Sequence, residues 1–356
     1  MNGRGKYPVV FFMFAPQAVN RIPTLMRALV LESFDNPFAL KDVEKPTLQA
    51  GEVLVQVKAA ALNRRDWWIT RGKYAGIKYP SIIGSDGAGV VAEIGEGVDP
   101  KWLGKEVIIN PGDKWGDDPN CQSKEYNILG LPDNGTFAEY VKISDRRLYS
   151  KPPSLTWEQT AAIPVAGLTA YRALFTKGKA VKGNTVLIVG VGSGTGAIAL
   201  QLALAAGCKV YVTSGSTEKL DIARKMGATD GVIYKDADWD EHLKVMSGGF
   251  DVIIDSALGE GFAKLPDICK PGARIVFFGG TAGDIPPTNG RKIFWKQLQI
   301  LGTTLGTPEE FEAMVDFIEE HHIIPVVDAV FPLEDAKSAF QKMDNSTQFG
   351  KIVIKM

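Results

Sequence analysis

The sequence predicts a two-domain α/β chain: an antiparallel, barrel-like β domain followed by a doubly wound parallel sheet. Three observations predict it. The chain has 356 residues, more than one hydrophobic core usually serves. Its texture changes near Thr156. Before that point, from Met26 to about Val141, short alternating runs are separated by Gly, Pro, Asn and Asp. Val53-Leu54-Val55-Gln56-Val57 and Gly89-Val90-Val91-Ala92-Glu93-Ile94-Gly95 are examples, and helical spacing is scarce. Beyond it, apolar strands alternate with helical stretches of ten or more residues, the pattern of βαβ units. Finally, a glycine-rich turn, Gly190 to Gly196, stands between an apolar strand and an apolar helix.

Taken in order, residues 1–25 read as an N-terminal extension without fixed structure. A short signal peptide is the other reading, since Arg4 and Lys6 precede the apolar run from Val9 to Ala15, which lies at the lower length limit for one. The first domain then covers 26–155 and the second 156–304, with about 305–356 returning to complete the first. Six strands of the second domain are expected at 185–189, 209–213, 231–233, 252–255, 274–278 and 300–303. The helix after the first of them, 195–206, is apolar on nearly every side and ends at Gly207, as suits a helix packed between a sheet and its neighbours. A helix over 308–320 and a strand over 349–355 close the chain.

Composition excludes several classes of function. Forty Lys plus Arg balance 41 Asp plus Glu, so no basic surface for nucleic acid or membrane is indicated. No apolar run is long enough to span a bilayer. Cys121, Cys208 and Cys269 are odd in number and far apart, which suggests neither a disulfide framework nor a metal knuckle and fits a reducing, cytoplasmic setting.

The turn Gly190-Val191-Gly192-Ser193-Gly194-Thr195-Gly196 has the position and composition of a pyrophosphate site. Glycine lets phosphate approach the backbone N–H groups at a helix N-terminus, where Gly192, Ser193, Gly194 and Thr195 would meet it. Counted from Gly192, the turn has the G-x-G-x-x-A form, ending at Ala197. An acid at the end of the next strand would grip the ribose 2′-hydroxyl of NAD; the sequence instead offers Ser214, Ser216 and Lys219, which favours the 2′-phosphate of NADPH. The alternative is that the hydroxyls cap the next helix and Lys219 is solvated. Tyr234, after the third strand, is a candidate cover for adenine. Ser256 and the run Phe278-Gly279-Gly280-Thr281 follow the fourth and fifth strands, on the sheet edge where such folds bind ligands.

Four segments resemble the medium-chain dehydrogenase/reductase superfamily: Ala61-Leu62-Asn63-Arg64-Arg65-Asp66, Gly84-Ser85-Asp86-Gly87-Ala88-Gly89-Val90-Val91, Ala161 through Tyr171, and the glycine turn. The resemblance runs from Met26 to Met356. It implies a GroES-like catalytic barrel, a Rossmann domain, an active site between them, and commonly a homodimer built through the Rossmann sheet. In zinc-dependent members the Asn63 position is Cys, the Ser85-Asp86 pair is His-Glu, and the Val165 position supplies another Cys or acid. The structural-zinc lobe corresponds to about 111–130 and here holds Cys121 alone. The resemblance is thus to the zinc-free, quinone oxidoreductase-like branch, also called zinc-type alcohol dehydrogenase-like, and no metal is expected. His242, His321 and His322 read as surface residues.

Asn63 is then a candidate hydrogen-bond donor to the substrate carbonyl, or else a buried turn amide. Arg64 is a candidate for a cofactor phosphate or substrate anion. Tyr74 is a candidate proton donor, with water as the alternative. Asp66 is expected to pair with Arg64, Arg65 or Arg71. Trp67 and Trp68 either wall a pocket or pack between domains. Thr169 is a candidate contact to the nicotinamide amide or a phosphate, and Phe349-Gly350-Lys351 resembles a C-terminal cofactor contact that would bring Lys351 near a phosphate. The function expected is hydride transfer from NADPH to a quinone or α,β-unsaturated carbonyl. A zinc-free alcohol or aldehyde reductase and a non-catalytic nucleotide-binding redox sensor are the alternatives.

Overall fold

The computed structural model describes residues 24–33 and 38–356. The expectations for residues 1–23, extension or signal peptide, lie outside the described residues.

The first region begins with β1 (Leu25–Leu31), β2 (Ala39–Glu44), β3 (Glu52–Ala61) and the short helix α1 (Arg64–Ile69). It continues through β4 (Ser81–Ile82), β5 (Asp86–Ile94), β6 (Glu106–Ile109), β7 (Gly112–Asp113) and β8 (Asn127–Ile128). β9 (Tyr140–Ser144) and β10 (Leu148–Ser150) complete it. β3 is the organising strand, pairing antiparallel with β5, β9 and a C-terminal strand described below. Its Val53, Val55 and Val57 point into one apolar core with Leu29, Ile109, Phe137 and Ile354. Alternation of apolar and polar residues marks a sheet with one covered face.

Helices α2 (Trp157–Ala161) and α3 (Pro164–Tyr171) lead across to the second region. There β11 (Thr185–Val189), α4 (Gly194–Ala205), β12 (Lys209–Ser214), α5 (Thr217–Lys225) and β13 (Asp230–Ile233) form the first half. The second half is α6 (Trp239–Ser247), β14 (Phe250–Asp255), α7 (Leu265–Ile268), β15 (Cys269–Phe277), α8 (Gly290–Trp295) and β16 (Gln299–Gly302). The six strands are all parallel in the order β13-β12-β11-β14-β15-β16, the doubly wound order with its switch point beside β11. Val186, Leu187 and Ile188 of β11 are buried because helices cover both faces.

All six sheet strands expected from the sequence are present: β11 spans the expected residues, and no end of the other five is shifted by more than five residues. α9 (Pro308–Glu320) matches the expected span; Thr307 caps it and exchanges hydrogen bonds with Glu310, while Pro308 sets its first turn. β17 (Val327–Pro332) and α10 (Ala336–Asp344) were not expected. β18 (Lys351–Lys355) begins two residues later than expected, because Phe349 donates its backbone N–H to the Asp328 side chain instead of pairing. β18 lies between β17, to which it is parallel, and β3, to which it is antiparallel, so the end of the chain closes the first region's sheet. No described helix is long and apolar enough to cross a membrane.

Candidate active site between the two regions

The glycine turn supplies the floor of the site. Gly190 adopts φ +76°, which admits glycine at little strain. Ser193 caps α4, accepting from Gly196 N at 2.9 Å and donating to Gly190 O at 3.2 Å. The turn is also crowded from outside. A Cβ on Gly192 would lie 2.7 Å from Lys219 Cδ, and one on Gly194 2.5 Å from Lys351 Cδ. Two lysine stems, one from α5 and one from β18, therefore frame a cradle that a side chain would fill. Such a helix N-terminus offers N–H groups and a positive dipole end to an anion.

Above the turn opens a cleft of about 1030 Å³. Arg64, Gly192, Ser193, Ser214, Ser216, Lys219, Tyr234, Ser256 and Thr281 line it, together with Trp67 and Trp68. The sheet-edge half and α1 thus meet across one opening. The two indoles contact edge to face at 4.6 Å, and Trp67 donates to Asp344 Oδ1 at 2.9 Å. Both indoles line the cleft, as the pocket-wall reading has it, while the Trp67 bond joins α1 to α10, whose Phe340 and Met343 lie in the first region's own core. Arg64 lies 5.2 Å from the Trp67 ring, and burial lowers its pKa.

At the far corner, Ser214 is buried and its hydroxyl accepts from Ser216 N at 3.2 Å. Ser216 stands at the N-cap of α5 without a side-chain capping bond. A Cβ on Gly215 would fall 2.6 Å from the Tyr234 hydroxyl and 3.5 Å from Lys235 Cε, so Tyr234 and Lys235 close over this turn. Lys219, expected to face the same corner, reaches across the cleft and donates to Ser346 O at 2.6 Å. Gly279 sits against Ser256, where a Cβ would meet Ser256 O at 2.6 Å; Phe278 is half-buried, and Gly280 follows on the same edge. Thr195 is on the first turn of α4.

A third group lies behind the cleft surface. Lys351, 5% exposed, donates to Leu62 O at 2.7 Å, Asn63 Oδ1 at 2.7 Å and Asp86 Oδ2 at 2.8 Å. Asp86 Oδ1 accepts from Val165 N at 2.8 Å. Ser85 donates to Leu129 O at 2.7 Å and accepts from Arg65. Asn63 stands at the N-cap of α1, and its N–H donates to Asp66 Oδ2 at 2.8 Å. Asp66 is fully buried, its other oxygen has no partner, and burial pushes its pKa up to about 6.

Four expectations change here. Asp66 makes no ion pair with Arg64, Arg65 or Arg71; it closes the first turn of α1, while Arg71 pairs with Asp344. The Lys351 ammonium faces Asn63 and Asp86 rather than an open phosphate site, because three acceptors saturate its donors. Tyr74 is 37% exposed and outside the cleft lining, with Arg65 5.2 Å from its ring. Thr169 is buried and donates to Val165 O of its own helix at 2.6 Å.

The family model described as "Zinc-binding dehydrogenase" matches residues 194–320, and that described as "Alcohol dehydrogenase GroES-like domain" matches 49–153. A zinc-type alcohol dehydrogenase-like protein of Leptosphaeria maculans is 35% identical over 90% of this chain and 95% of its own. The chain belongs to the medium-chain dehydrogenase/reductase superfamily, in its quinone oxidoreductase-like branch. The quinone oxidoreductase of Rattus norvegicus is 31% identical to this dehydrogenase/reductase over 93% of the chain and 98% of the relative. A crystal structure of an NAD-dependent alcohol dehydrogenase superposes with a TM-score of 0.88 at 34% identity, covering 93% and 100% of the two chains. The protein is an oxidoreductase.

Zinc, which gives one matched family its description, does not suit the donors of this dehydrogenase/reductase family member. Asn63, Ser85 and Asp86 are tied to Lys351, Arg65 and backbone groups, and Val165 brings no ligand atom. Zinc sites are built from Cys, His and carboxylates with free lone pairs. Among the described residues there is no cluster of three or more such groups. Lys235 was not anticipated from the sequence. Its signal is a cation directly after a strand-end tyrosine on the ligand edge. The Lys351–Asn63–Asp86 network carried no local signal, since its members are far apart in sequence.

Proposed function

We propose that this oxidoreductase is an NADPH-dependent reductase of quinones or α,β-unsaturated carbonyls that works without zinc. The observation that carries the cofactor reading is the corner beyond β12. β12 ends on Ser214 rather than on an acid, and the one carboxylate of this corner, Glu218, stands four residues further on in the first turn of α5; Ser216 and Lys235 line the opening there, and Lys235 has no hydrogen-bond or ion-pair partner among the described residues. In this reading the pyrophosphate lies on Gly192 through Thr195 and the nicotinamide end lies toward Ser256, Gly279 and Thr281. Phe278 and Gly280 belong to the same sheet-edge run as Gly279 and Thr281, and Tyr234 covers the adenine.

Bound in this way, the cofactor supplies a hydride to the conjugated carbon of the acceptor. The negative charge passes to the acceptor's oxygen, where a hydrogen-bond donor such as the Asn63 amide stabilises it. With Tyr74 away from the cleft, water delivers the balancing proton. A conjugated acceptor suits a site whose help is limited to hydrogen bonds, because its charge is already delocalised. Arg64 offers a charge to an anionic substrate or to the pyrophosphate. The three free cysteines fit a cytoplasmic setting, and we place the working unit as a homodimer.

The test is loss of NADPH absorbance with a panel of quinones, enones and aldehydes, alongside NADPH and NADH binding and metal analysis. Turnover with quinones or enones, NADPH preference and substoichiometric zinc are expected. Aldehyde turnover alone moves the protein to the aldehyde reductases. Tight binding without turnover makes it a nucleotide-binding protein, and stoichiometric zinc removes the metal-free reading.

A further inference from the structure

The amide of Asn63, the residue proposed above to meet the acceptor oxygen, is 8% exposed, lies just behind the cleft lining and is held from two directions. Its backbone N–H is fixed by Asp66 at 2.8 Å, and its side-chain oxygen lies 2.7 Å from Lys351 Nζ. An ammonium has three donors and no acceptor, so whichever amide atom faces it must be the oxygen. The Nδ2 atom therefore points elsewhere, and its one partner, Ala61 O, lies at 3.5 Å, the limit of a hydrogen bond. A donor is left over at a residue whose chain neighbour, Arg64, lines the cleft. Asp86 Oδ2, 2.8 Å from the same ammonium, is its buried ion-pair partner. The Lys351 stem runs against Gly194 of the phosphate cradle, and Gly350 N donates to Gly192 O at 3.2 Å.

We propose that Lys351 is a positioning residue: its ammonium sets the orientation of the Asn63 amide, so that Nδ2–H donates to the acceptor oxygen as hydride arrives, and its stem registers that donor against the cofactor turn. This rests on the proposed reductase function. The reverse amide orientation would present an oxygen to developing negative charge and repel it.

The test uses the full chain with NADPH and a quinone or enone that wild type reduces. Lys351→Met alone leaves Asp86 buried and unpaired and endangers folding, so the informative variant is Lys351→Met with Asp86→Asn, which keeps an acceptor for Val165 N. That double variant is expected to lose kcat by about 100-fold, the scale of one oxyanion donor, with the KM for acceptor and the Kd for NADPH changed by less than about threefold. Asn63→Ala is expected to lose a similar factor. The triple variant is expected to lose no more than Asn63→Ala alone, since Lys351 acts through Asn63. Unchanged kcat in the double variant, or losses that multiply in the triple, overturns the proposal, and so does a loss confined to NADPH affinity. Wild type that reduces no acceptor overturns the reductase reading, and this inference with it; active wild type with indifferent variants overturns the inference alone.

Discussion

Lys219, in the first turn of α5, and Lys235, just after β13, line the same cleft yet have different surroundings. Lys219 is engaged by Ser346 O across the cleft, whereas Lys235 lies beside the Gly215 turn with its ammonium unpaired. Lys235→Ala is accordingly expected to weaken NADPH binding by about tenfold and leave NADH binding unchanged, the magnitude of one charge-assisted hydrogen bond. Calorimetric titration with both nucleotides checks it, and equal loss for both would remove Lys235 from the 2′-phosphate site. Asp66 gives a second expectation. Its pKa of about 6 in the fold exceeds the ordinary 3.8, so the folded state binds the proton more tightly than the unfolded one. Stability falls as pH rises from near 3.8 through about 6, by roughly 3 kcal/mol, and is level above. Asp66→Asn should raise stability to urea at about pH 7.5 and give no gain at about pH 4. A gain of equal size at both would contradict the buried-charge account. At this scale the sequence was legible where local chemistry speaks, as at Ser214, Ser216 and the glycines. It was not legible at Lys351 or Asp66, whose partners depend on how β18 and α1 meet.

At the scale of elements, the Gly192–Gly194 turn separates two kinds of neighbour. The Lys219 stem that a Cβ at 192 would strike is long, half exposed and held at its tip by a single backbone oxygen, that of Ser346, so it can yield for the loss of one bond. The Lys351 stem at 194 is buried and pinned at its far end. Gly194→Ala should therefore cost about 1–3 kcal/mol of stability and much of the turnover, and Gly192→Ala considerably less stability. Thermal unfolding together with NADPH affinity compares them, and equal effects would show that Lys351 yields as readily as Lys219. The parallel strands were readable because burial on both faces leaves continuous apolar runs such as Val186-Leu187-Ile188. β17 was harder to read. Its Val327, Ala329 and Val330 remain partly exposed and a register shift interrupts it, so no clean period of two survives. α1 escaped notice because six residues are too few to display a helical period.

For the whole molecule, β16 ends the six-stranded sheet with one edge unpaired among the described strands. Beside it α8 exposes Phe294 at 66% and Trp295 at 82%. An open edge next to exposed aromatic rings needs cover. The homodimer proposed above supplies it, and light scattering should return twice the chain mass. Trp295→Glu should shift the mass toward the monomer, and an unchanged dimer would move the interface elsewhere. Thiol accessibility reports on the same folded unit. Cys208 and Cys269 are buried, and burial raises both thiol pKa values, that of Cys269 to about 12, so neither should react in the native state. Cys121 is exposed and should be the one thiol titrated before denaturation. Rapid titration of all three would show a looser core.

Asn63 and the lysine that grips it are 288 residues apart in sequence. Contacts of such span form late, because a long stretch of chain must first lose its freedom. A refolding chain should therefore recover its helices and sheet signals before it recovers turnover. The kinetic lag between the two would time the arrival of the last strand.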